Sequence, residues 1–195
     1  MVTPRPATPA DVEELYRRHA REIHGYLCRR AGESGADLLG EVFVIALRRM
    51  NDLPAAELRR AWLFGTARRL LLAAERTTSR RRVAEHERVR VHDGRAGDAS
   101  ADGAPSVRAV REALASLKEP DRELIRLTEW EQLSIADAAS VVGMRPGTAR
   151  VRLHRARRAL AAHPLLIELV QRPAEMSGRA SGGTPGTGGT RRPAG

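Results

Sequence analysis

The sequence predicts an all-α protein of two small helical domains joined by a flexible linker and followed by a disordered C-terminal tail. Three observations carry that expectation. Apolar residues recur at three- and four-residue spacing, and nothing alternates with period two over a useful length. Aromatics are scarce, with two each of Trp, Tyr and Phe in 195 residues. Leu, Val, Ile and Ala must therefore fill the core, a composition that favours helices. The periodicity fails between Val83 and Pro105, where Gly94, Gly97, Gly103 and Pro105 interrupt an acidic stretch. That break leaves room for two units of about 70 residues each.

The first helix is announced by Thr8 and Pro9, a cap residue followed by proline at the first helical position, with Asp11 complementing the helix dipole. Val12, Leu15, Tyr16, His19, Ile23, Tyr26 and Leu27 form its apolar stripe, and Gly32 and Gly35 are expected to end it. A second helix spans about Asp37 to Met50, packing through Leu38, Leu39, Val42, Phe43, Ala46 and Leu47, until Asn51-Asp52-Leu53-Pro54 breaks it. The third runs from about Ala55 to Arg82, presents Leu58, Trp62, Leu63, Leu70, Leu71 and Ala74, and is strongly basic. These elements make a first domain over residues 8–82, with the linker at 83–105. A second domain over 106–170 opens with Val107, Val110, Leu114 and Leu117. It continues with a helix near Pro120 that carries Leu124, Ile125 and Leu127, and ends in the apolar run Leu165 to Val170. From residue 171 to 195 the chain turns to Gly, Thr, Ser and Pro, the expected disordered tail.

Basic residues number 34, all arginine except Lys118, against 24 acids, for a formal charge of +10. A surface of that sign attracts phosphate polyanions. Arg in place of Lys is what a GC-rich genome gives, but the net sign does not follow from that bias. The lone Cys28 excludes an intramolecular disulfide and a multi-cysteine zinc site, and its position predicts a buried, inert thiol. Met1 to Ala10 lacks the apolar run of a signal peptide, and no stretch approaches the roughly 20 apolar residues of a membrane span. A cytoplasmic location without direct membrane insertion is expected.

Nothing points to catalysis. No Gly-x-x-x-x-Gly-Lys phosphate loop occurs, the six histidines do not pair at metal-ligand spacing with an acid, and no Ser sits in a nucleophile elbow. No catalytic residue, metal site, cofactor or small-molecule substrate is expected. The carboxylates lie mostly on helix faces beside Arg, where solvated ion pairs are the ordinary account.

The most informative segment is LSIADAASVVGMRPGTARVRLHRARRAL, Leu133 to Leu160. Ser134 and Asp137 make a capping box, Gly143 supplies a left-handed turn, Pro146 restarts the helix, and Ala138 and Ala139 let the two helices cross closely. This is a helix-turn-helix. Its second helix turns Ala149, Leu153, Ala156 and Leu160 inward, while Arg150, Val151, His154 and Arg155 share an outward face. A helix fits the major groove, where Arg reads guanine or holds phosphate.

Val107 to His163, with SLKEPDRELIRL, this helix-turn-helix and RLHRARRAL, resembles region 4 of the extracytoplasmic-function (ECF) sigma factors of the sigma-70 family. Region 2 of that family is similarly recognisable in LLGEVFVIALRRM and in RAWLFGTARRLLLAAERTTSRRR. The two occur in family order and together cover about Asp11 to His163. The first domain is thus identified as a region 2 helical bundle and the second as region 4.

The resemblance implies a non-catalytic transcription initiation factor that binds core RNA polymerase and promoter DNA, nucleoid-associated when in holoenzyme. In the family, the helix matching Asp37 to Arg49 meets the polymerase clamp. Here that places Asp37, Glu41 and Arg48 as polar contacts around Val42 and Phe43, both of which also suit plain core. The loop Met50 to Ala56 and the helix after it, in the family, read the minus-10 element as single strand, with a pocket for a base turned out of the stack. The corresponding residues are Arg59, Arg60, Trp62, Arg68, Arg69, Arg76 and Arg80, although at helical spacing Trp62 is more often core than a stacking partner. The family commonly carries Asn at Arg69 and Asp at Ala73, which leaves the base preference open. The minus-35 face falls on Thr148, Arg150, Val151, His154 and Arg155, with phosphate contacts near Pro146 and Gly147 at the helix start. Family members are often held by an anti-sigma factor. The alternatives are a stand-alone helix-turn-helix regulator, which does not explain the first half of the chain, and a nucleic-acid-modifying enzyme, for which no catalytic constellation is visible.

Overall fold

The computed structural model describes residues 7–88 and 104–171. The expected linker lies outside the described residues over 89–103, and so does the expected tail over 172–195. Among the described residues there is no strand, and the regular elements are helices.

Helix α1 (Pro9–Ala31) starts as its sequence predicts: the Thr8 amide and hydroxyl both donate to the Asp11 carboxylate, at 2.6 and 2.7 Å. It ends at Gly32, whose φ of +60° breaks the helix and lets α2 (Glu33–Arg48) begin at once. Gly35 therefore does not terminate α1. It lies buried in the first turn of α2, where a Cβ would stand 2.4 Å from the Leu27 carbonyl oxygen. The absent side chain is what allows α2 to fold back against α1.

Two short 3-10 turns, Met50–Asp52 and Ala56–Leu58, carry the chain into α3 (Arg59–Arg88), which runs past the boundary expected at residue 82. Helix α3 crosses both α1 and α2, and Ile23, Tyr26, Leu27, Val42, Ala46, Leu63, Phe64 and Ala67 are fully buried among the three. Leu47 and Leu58, expected inside, are 46% and 49% exposed. Cys28 is half-buried with its sulfur 3.5 Å from His24 Nε2, and so is not the enclosed thiol expected.

The second unit comprises α4 (Pro105–Ala115), α5 (Glu119–Glu129), α6 (Ile135–Val142), α7 (Pro146–Ala161) and α8 (Pro164–Gln171). Leu124, Leu127, Ala138, Ala139, Ala149 and Leu153 make its core, and α8 folds back on α4. The two cores form one continuous cluster, because α6 packs on α3 where Gly65 faces Val141.

Replacing Gly35 with Ala is expected to lower stability by about 1–3 kcal/mol through overpacking. Thermal denaturation followed by circular dichroism reads this, and an unchanged melting temperature would contradict the packing account.

Candidate nucleic-acid interface

The helix-turn-helix forms as the sequence predicts. Ser134 Oγ accepts the Asp137 amide at 3.1 Å while its hydroxyl donates to the Asp137 carboxylate at 2.7 Å, so α6 is capped. Gly143 adopts φ +82°, and the amides of Gly143 and Met144 both return to the Ala139 carbonyl at 2.9 Å. Helix α7 then restarts at Pro146 and buries Ala149, Leu153 and Ala156. It carries five arginines and no acid. Two of the five are fixed by the scaffold: Arg152 Nε reaches Asp121 at 2.6 Å, and Arg157 reaches Glu129 at 2.7 Å. The bond to Asp121 raises the Arg152 pKa further above its ordinary value. Arg150, Arg155 and Arg158 have no ion-pair or hydrogen-bond partner among the described residues. Thr148, Arg150, Val151, His154 and Arg155 are all exposed. The outward face thus holds uncommitted positive charge on a helix that packs on the core through Ala149, Leu153 and Ala156 and pairs with α5 through Arg152 and Arg157.

The arginines of α3 fall into two groups. Arg69, Arg76 and Arg80 are exposed and lie seven and four residues apart, on one stripe. Arg59, Arg60 and Arg68 are engaged. Arg59 Nε donates to the Pro54 carbonyl at 3.1 Å, fixing the loop before α3. Arg60 pairs with Glu22 at 2.7 Å and donates to the Glu131 carbonyl at 2.6 Å, while Arg68 pairs with Glu119 at 2.7 Å. Trp62 is half-buried against the core. Between the end of α2 and the middle of α3 lies an open groove of about 360 Å³, walled by Ile45, Leu70 and Thr66 and rimmed by Arg48, Arg49 and Arg69. Thr66 donates to the Trp62 carbonyl and accepts from Arg69, so its hydroxyl orients one guanidinium of that rim. Of the residues around this groove, Ile45, Arg49 and Thr66 had no part in the sequence reading, and Leu70 was read only as packing. The run Arg48-Arg49 next to the Asn-Asp-Leu-Pro break was the signal available.

On α2, Asp37, Glu41 and Arg48 are exposed, whereas Val42 and Phe43 are buried, Phe43 edge-on to Tyr16 at 4.9 Å. The apolar surface between the charged residues belongs instead to Val44 and Leu47, 42% and 46% exposed. The 3.6-residue period turns these two outward and tucks their neighbours under.

The expectation of solvated carboxylates fails at Glu123 and Glu131. Their side chains are 7% and 2% exposed, and both meet the end of α1. Arg30 lies within 3.4 Å of both Glu123 oxygens and 3.3 Å from Glu131, and its guanidinium stacks 3.8 Å over the Tyr26 ring. Tyr26 donates its hydroxyl to Glu123 at 2.8 Å, and Arg29 reaches Glu131 at 2.6 Å. Burial, and then the adjacent Glu123 charge, push the Tyr26 phenol well above its ordinary value, with Arg30 opposing. Because the folded-state value is raised, the stability this contributes is present below the ordinary tyrosine value near 10 and lost as pH rises beyond it. An ultraviolet phenolate titration should therefore show the Tyr26 component appearing only together with loss of helicity. Ionisation of Tyr26 in the intact fold would contradict the burial argument.

Among the described residues no group of His, Cys, Asp and Glu is arranged to hold a metal, and no helix is long and apolar enough to cross a membrane. Residues 107–160 match the family model for sigma-70, region 4. The chain is 30% identical over 150 residues to the RNA polymerase sigma factor CarQ of Myxococcus xanthus, covering 73% of this chain and 83% of that one. It is 35% identical over 135 residues to the ECF RNA polymerase sigma factor SigC of Mycobacterium tuberculosis, covering 66% and 69%. In fold it is similar to the sigma factor RpoE solved with the anti-sigma factor NepR from Bartonella quintana, at a TM-score of 0.60 and 23% identity, covering 80% of this chain and 97% of that one. The chain belongs to the extracytoplasmic-function sigma factors of the sigma-70 family, non-catalytic proteins that bind RNA polymerase and promoter DNA.

Proposed function

We propose that the chain delivers core RNA polymerase to a two-part promoter, reading the minus-35 element as duplex through α7 and the minus-10 element as single strand through α3. The observation that carries this reading is the division of arginines on α7. Arg152 and Arg157 are spent on holding the helix, while Arg150, Arg155 and Arg158 face outward without a partner. A helix of that diameter enters the major groove, where Arg150 and Arg155 reach base edges beside His154 and Val151. Thr148 and the free amides near Pro146 and Gly147 hold a phosphate.

On the other unit, the stripe Arg69, Arg76 and Arg80 tracks a separated strand. The groove beside Arg48, Arg49 and Arg69 has an apolar floor for one unstacked base and guanidiniums for its phosphates. Asp37, Glu41 and Arg48, with Val44 and Leu47 between them, form the surface for the polymerase. Val42 and Phe43 support it from beneath. Arg59, Arg60, Arg68 and Trp62 contribute to the strand path by shaping it, and Arg60 and Arg68 do so directly once their present partners leave. By the likeness of fold to the Bartonella sigma factor, an anti-sigma factor is a fitting partner for this chain as well. A cytoplasmic, nucleoid-associated location follows from this role.

Run-off transcription and sequencing of the DNA retained by reconstituted holoenzyme test the reading. Arg155→Ala is expected to cost about 1–3 kcal/mol in promoter binding and to relax selectivity at one minus-35 position. Equal weakening on every sequence would demote Arg155 to a backbone contact. Arg76→Ala with Arg80→Ala should weaken open-complex formation on all promoters alike and make it less steeply dependent on salt, since each lost phosphate contact removes about 0.7 from the log-log slope on a single strand. An unchanged salt slope would remove this stripe from the strand path.

A further inference from the structure

We infer that the chain holds a small phosphate-type oxyanion in the cavity between α1, α3 and α5, with the guanidiniums of Arg122 and Arg126 as its ligands. The inference rests on charge and geometry alone and is independent of the promoter reading.

The cavity has a volume of about 240 Å³ and is walled by Tyr26 and Arg30 of α1, Arg68 and Leu71 of α3, and Arg122 and Arg126 of α5. Its cations divide into two kinds. Arg30 lies 3.2 Å from Glu123 and 3.3 Å from Glu131, and Arg68 pairs with Glu119 at 2.7 Å. Arg122 and Arg126 form no ion pair among the described residues. Glu123, the nearest acid in sequence, is already taken: Arg30 reaches both of its oxygens, and Tyr26 donates to one of them. Glu75, which also lines the cavity, is exposed and pairs with neither arginine.

Two observations separate these guanidiniums from ordinary solvated surface charge. Arg122 Nη2 donates to the Leu117 carbonyl at 3.1 Å, which fixes the side chain, while its Nε is buried with no hydrogen-bond partner. A buried donor left unmade is costly and rare in a folded protein. Burial, and then the neighbouring Arg30 charge, hold the Arg126 guanidinium below its ordinary pKa, with Glu123 opposing. A water molecule would satisfy the Arg122 N–H but leave both charges uncompensated. A doubly charged oxyanion does both, and the guanidinium fork matches its oxygens. Size and edge set the class of ligand. The cavity is smaller than the roughly 300–1,000 Å³ of sites that enclose a drug-sized molecule, which suits a single phosphate-sized group. The carboxylates of Glu75 and Glu119 at its edge would face the next phosphate of a nucleic-acid strand, so a lone anion is favoured over a polymer.

Calorimetric titration of the full-length chain with inorganic phosphate, and separately with AMP as a phosphate monoester, tests this in chloride buffer at constant ionic strength. Saturable binding at one site per chain is expected with at least one of the two. Binding of phosphate makes the free anion the ligand, and binding of AMP alone makes it a monoester whose remainder lies in the open mouth. Arg126→Met removes the charge and keeps the apolar stem. It should weaken binding about tenfold, the loss of one charge-assisted hydrogen bond. Its melting temperature in chloride should be no lower than that of the unsubstituted chain, because a desolvated charge has been removed. Arg150→Ala with Arg155→Ala, on the outward face of α7, should leave the phosphate affinity as it was. Should Arg126→Met lose its helical circular dichroism, Arg122→Gln gives the second reading, with the same loss of affinity expected. Heats that do not saturate, or that chloride reproduces, would reduce the effect to an adventitious ion only and overturn the site. Loss of binding in the α7 variant with none in the cavity variants would overturn it as well, and so would a lower melting temperature of Arg126→Met with unchanged affinity. A chain that binds phosphate in this way and starts no transcript would count against the promoter reading alone.

Discussion

Two carboxylates buried against the end of the first helix organise the molecule. Glu123 and Glu131 enter a desolvated site where a charge without a partner is costly, so their position is tolerable only because Arg29, Arg30 and the Tyr26 hydroxyl converge there. Satisfying them draws α5 and the start of α6 onto α1 and α3, fuses two small cores into one, and engages Arg60 and Arg68. Neither unit alone is large. Sharing apolar surface across α3 and α6 gives each a wall that it would otherwise lack.

The arginine surplus is divided by its carboxylates into two functions. Where an acid is within reach, the guanidinium is structural, as at Arg152 with Asp121, Arg157 with Glu129 and Arg30 with Glu123. Where none is, it faces solvent on α7 or on the Arg69, Arg76, Arg80 stripe of α3. The net charge of the chain suits a phosphate polyanion, and on the proposed reading the unpaired arginines are the ones left to meet it. Helix α7 thus carries two arginines tied to acids of α5 and three that face solvent, the latter available for a groove on the proposed reading.

Much of this was legible in the sequence where the signal is local. The Thr8-Pro9 start, the Ser134 and Asp137 cap, the Gly143 turn and the inward stripe of α7 each depend on residues a few positions apart, and each formed as read. Gly35 was misread because a glycine beside a helix end signals either termination or close packing, and only the position of the Leu27 carbonyl distinguishes them. Val42 and Phe43, read both as contacts and as plain core, are buried, and the exposed apolar residues beside them are Val44 and Leu47, a shift of one or two residues that periodicity alone does not fix. Glu123 and Glu131 could not be found at all, since their partners are 93 to 102 residues away and nothing local separates a buried carboxylate from a solvated one.

On the proposed reading, one chain holds intact duplex with one unit and separated strand with the other. Footprinting of the reconstituted holoenzyme on a promoter it has selected tests this most directly, with backbone cleavage reporting contacts and permanganate reporting unpaired thymines. A protected duplex stretch upstream, sensitive to Arg155→Ala, is expected together with a separate melted stretch about 25 base pairs downstream. A single continuous footprint without unpaired thymines, unaffected by Arg155→Ala, would contradict it.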